Sequence, residues 1–410
     1  MRKRSSVIAL LLVAVLVLAA CSNSVPKSQT KVEPNGAFTT IRVAYPKGYG
    51  WWVDVLVQGF QTAHKEYRIT PVPLETDYEG TMRGVVTDKK ADLVIVNALP
   101  YELISGNLAT DLDPYIRKSN MDMGGYKLEQ SQYLLEGKLL GLPLIASPRA
   151  LYGNADLFKQ ADVPVPEGTW TWDEFRVAAQ KLTNTEKKQW GIDSKAPELL
   201  AQLRLLQYDV GTPANLASEK AWKETLQFWT TVTLTDRSTP PVARDKVRGP
   251  LQRSGDPVEY AAGKAAMALL RAGSELPAPH VILPMPTLPG AKPVTYTWFY
   301  TAAIPYNSDV PDAAWEFIRY AAGPDGALEM AKNGILPMYV TPAVEEAWLK
   351  TQPKGAEAIL KSRWMSHFSS KPFLNDMMDQ AINKALSGSE PWEKVAADYV
   401  AQTEAYRTGK

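Results

Sequence analysis

Residues 40–97 read TIRVAYPKGYGWWVDVLVQGFQTAHKEYRITPVPLETDYEGTMRGVVTDKKADLVIVN, and the succession of patterns inside this stretch decides the fold class. Residues 40–44 (TIRVA) alternate and carry β-branched side chains, which predicts a strand. Val53, Leu56, Val57 and Phe60 then recur at i, i+3, i+4 and i+7, the spacing of a helix that buries one face. Residues 68–72 supply a second strand, and a polar segment over 75–90 leads on from it. Residues 92–97 (DLVIVN) form an unbroken apolar run, as a strand covered on both faces requires. Strands and helices alternating in this way predict a doubly wound α/β layer. A helix over 101–106 and the segment 112–114 continue it.

At about 100–200 residues per domain, a chain of 410 residues predicts a second body. It begins near residues 139–152 (LLGLPLIASPRALY), an extended stretch punctuated by prolines. Residues 171–174 (TWDE) spell a capping box that opens a helix burying Phe175, Ala179 and Leu182. Trp222, Leu226 and Trp229 share the face of another helix, and a short helix around Lys264 leads into an apolar strand. Residues 295–304 (TYTWFYTAAI) are extended again, followed by a helix over 312–321 that buries Trp315 and Ile318. Two last helices, 376–386 and 392–406, are split by Gly388.

Composition excludes several classes of job. With 45% apolar and 22% charged residues, the chain is neither mainly disordered, nor collagen-like, nor a polytopic membrane protein. Lysine plus arginine (45) balances aspartate plus glutamate (44), so there is no electrostatic footprint for nucleic acid. Cys21 is the sole cysteine, which rules out an intrachain disulfide and any cysteine-based metal cluster. His64, His280 and His367 lie far apart with no HExxH spacing, so no metal or cofactor is expected.

The N-terminus carries its own signal. Arg2, Lys3 and Arg4 precede fourteen uninterrupted apolar residues from Val7 to Ala20. That run is short of the ~20 needed to span a bilayer but suits the core of a signal peptide. It ends in Leu18-Ala19-Ala20-Cys21, which resembles the lipobox in which cleavage precedes a lipid-bearing cysteine. Removing residues 1–20 takes away three positive charges and no acid, moving the net charge from +1 to −2. Residues 22–38 (SNSVPKSQTKVEPNGAF) are polar and aperiodic, as expected of a flexible tether.

Six separated segments then line up in order with one family: 91–112 (ADLVIVNALPYELISGNLATDL), 141–154 (GLPLIASPRALYGN), 157–182 with its VPVPEGTWTWDEF core, 262–269 (AGKAAMAL), 302–322 (AAIPYNSDVPDAAWEFIRYAA) and 334–337 (GILP). The chain resembles the extracellular solute-binding proteins of ABC importers, in the carbohydrate branch that looks like maltose-binding protein. The resemblance implies an α/β, two-lobe fold of the periplasmic-binding-protein type II kind, with discontinuous lobes joined by hinge strands. By that analogy residues 39–145 plus 303–345 make the N-terminal lobe, and 146–302 plus 346–410 the C-terminal lobe. Residues 142–147 and 296–303 are then hinge segments, and the ligand is caught between closing lobes.

Sugars present hydroxyls at their rims and apolar C–H faces, so their sites need aromatic platforms and directed polar groups. The chain holds 12 tryptophans and 18 tyrosines against nine phenylalanines, and these pair an apolar body with a polar tip. Trp172, Trp222, Trp229 and Trp315 lie on periodic helical faces or caps and are expected in the core. The loop Tyr45-Pro-Lys47-Gly-Tyr49-Gly-Trp51-Trp52 follows the first strand, where ligands approach α/β sheets. Its other reading is a surface turn with a hydrophobic staple. Asn97 ends the third strand and Tyr101 follows, in the segment where relatives place polar and aromatic contacts. The aspartate that maltose-binding relatives carry there falls at Leu99, and Asp77 or Glu79 stands as its substitute. Arg149 beside the first hinge segment and Arg271 after a buried strand suit bidentate contact with hydroxyls or a carboxylate, or a surface ion pair. Trp298 and Tyr300, two apart in an extended segment, point to one side, toward either cleft or core.

The expected function is capture of a carbohydrate, most simply an oligosaccharide, and its delivery to an ABC permease. The protein would act as a monomer anchored through Cys21 on the extracytoplasmic face of the cell membrane. A non-sugar solute in the same fold (polyamine, iron or an amino-acid derivative) is one alternative. A sensor or adhesin that binds without import is another. A glycan-active enzyme is the third, but no catalytic motif supports it.

Overall fold

The computed structural model describes residues 38–75, 79–97, 107–127, 138–208, 212–241, 258–274, 276, 279–366 and 372–407. The signal peptide, Cys21, the tether before Phe38, and the helix expected over 101–106 lie outside them. Among the described residues, no helix is long and apolar enough to cross a membrane.

Strand β1 (Thr39–Pro46), helix α1 (Gly50–Ala63), strand β2 (Tyr67–Leu74), helix α2 (Glu79–Thr87) and strand β3 (Leu93–Asn97) follow the expected alternation. β1 pairs in parallel with both β2 and β3. β2 is an edge strand, which is why it tolerates Pro71 and Pro73: lying two apart, they turn their missing donors to the same unpaired side. Helix α3 (Asp113–Ser119) and strand β4 (Leu142–Asn154) come next. The middle of the chain holds α4 (Ala155–Gln160), α5 (Trp172–Lys181), β5 (Trp190–Ile192), α6 (Ala196–Leu205), α7 (Glu219–Thr230), α8 (Val258–Ala261), β6 (Ala265–Arg271) and β7 (His280–Leu283). β8 (Val294–Ala303), α9 (Pro311–Ala321), α10 (Pro324–Lys332), α11 (Pro342–Leu349), α12 (Glu357–Lys361), β9 (Arg363–Ser366), α13 (Pro372–Leu386) and α14 (Trp392–Arg407) complete it.

Local signals explain several boundaries. Thr171 Oγ1 accepts from the Glu174 amide at 3.2 Å while Glu174 accepts from the Thr171 amide at 2.7 Å, so the capping box closes reciprocally. Pro311, Pro324 and Pro342 each open a helix, where a missing N–H costs nothing. The helix expected around Lys264 is displaced. It spans Val258–Ala261, and Gly263, at φ +68°, turns the chain into β6.

The strands run in the order β2-β1-β3-β8-β4-β6-β5, with β7 also on β4 and β9 on β8. β4 and β8 unite the two ends of this curled sheet. The first half of β4 pairs antiparallel with β8, Leu142 to Pro148 against Ala302 to Thr297. Its second half pairs with β6 and β7, so Leu151 faces both Leu269 and Leu283. A register shift between Pro143 and Ile145 interrupts the first pairing.

Two separate apolar cores sit on either side of this crossing. One gathers Ile41, Trp52, Leu56, Phe60, Ile95, Trp315 and Phe317. The other gathers Trp172, Phe175, Leu200, Trp222, Trp229, Met267 and Ile382. All four tryptophans expected in the core are there, none more than 3% exposed. A third cluster, with Tyr152, Phe299, Leu336, Trp348 and Trp364, wraps the crossing strands. The fold is thus α/β with two lobes, each holding its own core, joined by strands that belong to both.

Candidate functional site

Register places the candidate side chains before any contact is measured. In an antiparallel ladder, directly opposed residues share a face, and so do residues two apart on one strand. Asn97 on β3 opposes Tyr300 on β8. Tyr300 opposes Ile145 on β4, Trp298 opposes Ser147, and Arg149 opposes Arg271 on β6. Asn97, Tyr300, Ile145, Trp298, Ser147, Arg149 and Arg271 therefore form one stripe that runs from the first lobe's strands into the second's, with Ile145 buried in the first core. Ser147 was not among the expected residues. Its signal was its place two before Arg149 in an extended segment.

At the first-lobe end of the stripe, the ring of Tyr300 meets Tyr49 edge-on at 4.7 Å and Trp52 at 5.6 Å. Tyr49 and Trp52 are 6.1 Å apart. Tyr49 and Tyr300 are half-buried, but Trp52 is 1% exposed and belongs to the core. Trp52 is therefore a correction to the expected ligand set. Its buried ring backs Tyr300 and cannot meet a solute. Tyr45, buried in the same core, is corrected likewise, and burial raises its phenol pKa with Asp54 adding to the effect. Lys47 sits in an exposed ion pair with Glu75, and Trp51 stands 66% exposed at the start of α1. The loop thus divides: Tyr49 joins the stripe, Trp52 and Tyr45 support it, and Lys47 and Trp51 face solvent. Asp77 and Tyr101 lie outside the described residues. Asn97 Oδ1 is buried and has no hydrogen-bond partner among the described residues.

At the second-lobe end, the half-buried indole of Trp298 receives two guanidinium groups. The Cζ of Arg149 lies 4.7 Å from the ring centroid and that of Arg271 lies 5.5 Å away. Arg271 is exposed, whereas Arg149 is 5% exposed. Burial, with Arg271 adding repulsion, pulls the Arg149 pKa down to about 10 from 12.5, which still leaves it charged at neutral pH. Among the described residues, no ion pair joins either arginine to an acid, and Arg149 Nε and Nη2 have no hydrogen-bond partner. The stripe therefore presents an aromatic platform, flanked by hydroxyl and amide groups at one end and by cationic donors at the other. Such a surface has the chemistry to take a polar small molecule through stacking and directed hydrogen bonds.

Comparison with known proteins accords with this geometry. A family model described as bacterial extracellular solute-binding protein matches residues 44–328. A putative binding protein of Brucella abortus is 29% identical over 131 residues, 31% of each chain. The sn-glycerol-3-phosphate-binding periplasmic protein of Agrobacterium fabrum is 26% identical over 166 residues, 35% of this chain and 37% of that one. These matches span about a third of the length of the curated relatives. A sugar transporter protein from Rhizobium etli, solved in an open conformation, superposes with a TM-score of 0.73 at 20% identity, covering 90% of this chain and 99% of that one. The cyclic alpha-maltosyl-1,6-maltose binding protein from Arthrobacter globiformis gives 0.71 at 18% identity, covering 91% and 100%. At these identities the solved neighbours establish a shared fold. The family match, which takes in well over half of the 410 residues, makes the chain a member of the bacterial extracellular solute-binding proteins.

Proposed function

We propose that the protein captures a carbohydrate, an oligosaccharide in the simplest case, between its two lobes and passes it unaltered to the permease of an ABC importer. The observation that carries this reading is the stripe itself. Half-buried Tyr300 and Trp298, with Ser147, lie on the strands shared by both lobes, Asn97 opposes Tyr300 from β3, and the ring of half-buried Tyr49 meets Tyr300 from the turn after β1. Aromatic faces suit the C–H surfaces of a sugar ring, and the polar groups suit its hydroxyls. The Agrobacterium relative and the Arthrobacter neighbour are both named for polyhydroxylated ligands, which favours the same chemistry here.

The lobes would divide as residues 39–145 plus 303–345 and residues 146–302 plus 346–410, with 142–147 and 296–303 flexing between them. Cys21, lipidated after cleavage, would hold the protein on the extracytoplasmic face of the membrane, and residues 22–38 would give it reach. Several acyl chains on one residue anchor stably, each buried methylene contributing ~0.8 kcal/mol.

A thermal-shift screen of the mature protein against mono- and oligosaccharides tests the reading, followed by product analysis of every stabilising sugar. One or more sugars should raise the unfolding midpoint and be recovered intact. A panel with no stabilising member would reject the carbohydrate, and a cleaved product would turn the site into that of an enzyme. Mass spectrometry of the membrane-extracted protein tests the anchor, which an unmodified Cys21 would refute.

A further inference from the structure

Among the described residues, the buried charges other than Arg149 each have at least one hydrogen-bond partner, although Arg204 keeps an unpartnered Nε. Asp92 is gripped by Arg42, Asp193 accepts three backbone N–H groups, Arg204 donates to Tyr208, and Asp379 accepts from Gln202. Arg149 is as deeply buried as these, yet its Nε and Nη2 have no hydrogen-bond partner among the described residues. The charge directly across the ladder is another cation, Arg271, a placement that repels. The Trp298 face offsets only part of that cost, because cation–π attraction is weaker than the hydration a buried guanidinium gives up.

The two unpartnered donors are also a matched set. Nε and Nη2 form one edge of the guanidinium, with N–H bonds nearly parallel. Arg42 uses this edge to hold Asp92, with Nε at 2.9 Å and Nη2 at 2.8 Å from the two carboxylate oxygens. Arg176 holds Asp236 in the same way. Arg42 and Arg176 thus grip an oxyanion side-on with this edge, and Arg319 turns the same edge on Glu316, whereas in Arg149 it has no hydrogen-bond partner among the described residues.

We infer that Arg149 and Arg271 form an oxyanion clamp, so that the solute carries a phosphate, sulfate or carboxylate group on its polyhydroxylated frame. The inference rests on the saccharide reading for that frame but takes the charged group from the arginines alone. The anion would sit against the Nε/Nη2 edge of Arg149, with Arg271 closing over it from the exposed side. The frame would extend along Trp298 toward Tyr300.

The mature protein would be titrated at constant ionic strength with glucose, glucose 6-phosphate, glucuronate and inorganic phosphate, each against a chloride control. The anionic sugars should bind about tenfold or more tightly than glucose, and inorganic phosphate should itself raise the unfolding midpoint. Phosphate and carboxylate arms identify which oxyanion is preferred. Arg149→Met should weaken the anionic sugar on the order of 100-fold while raising the midpoint of the unliganded protein. Arg271→Gln, at an exposed position, should fold normally, weaken the anionic ligand less and flatten its salt dependence. If no anion outperforms chloride, or if the anionic advantage survives in both variants, the clamp is refuted. Neutral sugars binding wild type as tightly as the anionic sugars do, with neither affected by Arg149→Met, would refute the clamp and keep the saccharide reading. Phosphate binding that depends on Arg149, with no sugar preferred over phosphate alone, would keep the clamp and refute the saccharide frame.

Discussion

Trp298 stands where the aromatic and cationic parts of the proposed site meet. Its ring is half-buried, shares a face with Tyr300 and Ser147, and is met by two arginines. Trp298→Ala should weaken the captured solute about tenfold or more and abolish its fluorescence signal, while thermal unfolding moves little. A large stability loss with unchanged affinity would assign the residue to packing. Asp193 illustrates a different residue-scale effect. It is 1% exposed, and burial, with Glu259 adding to it, pushes its carboxyl up to about 6 from 3.8, against three backbone donors that favour the ionised form. Because the folded pKa lies above the unfolded one, the stabilising contribution is complete below about pH 4 and is lost as pH rises through 6. Urea unfolding at pH 4 and pH 7 should therefore show a fall in stability in the wild type that Asp193→Asn lacks. Parallel pH profiles would remove Asp193 from the account.

Elements were legible where their signal was local. Val53, Leu56 and Phe60 marked the buried face of α1, and continuing their stripe one turn back would have put Trp52 inside as well. The capping box at Thr171 set the start of α5 for the same reason: all its partners lie within four residues. Boundaries governed by backbone conformation slipped, as at Lys264, where the left-handed Gly263 ends the turn before the strand begins. The stripe was only half legible. Trp298 and Tyr300 announce a shared face, but the pairing of Arg149 with Arg271 depends on strand register, which joins residues remote in sequence and leaves no local pattern. Close element packing shows the same limit. An alanine Cβ at Gly191 on β5 would lie 2.2 Å from the Ala179 carbonyl oxygen on α5. Gly191 also donates its N–H to Thr183 at 3.0 Å, which holds the strand in place. Gly191→Ala should cost about 1–3 kcal/mol in chemical unfolding, since overpacked backbone must shift. A neutral result would mean that α5 and β5 can separate freely.

At the scale of the whole molecule, the proposed closure would leave the two lobe cores intact and act on the third cluster, which wraps the shared strands. Each lobe keeps its own apolar cluster, so a change of angle between lobes need not open either core. The shift of register between Pro143 and Ile145 marks where β4 departs from regular pairing, which is where bending disturbs fewest ladder bonds. A solute can drive closure only by its extra affinity for the closed form, and that requires contacts from both ends of the stripe at once. Tyr300 and Asn97 lie at the first-lobe end and Arg149 and Arg271 at the second. A ligand reaching both should therefore compact the protein as well as stabilise it. Solution scattering should show a smaller radius of gyration at saturation. The unfolding free energy at one hundred times the dissociation constant should rise by ~2.7 kcal/mol. Removing one end, as in Trp298→Ala or Arg271→Gln, should reduce compaction more than it reduces occupancy at saturating ligand, because a solute held from one side no longer favours the closed angle. Full stabilisation without any change in radius would mean that a single lobe binds the solute, and the hinge would then have no part in capture.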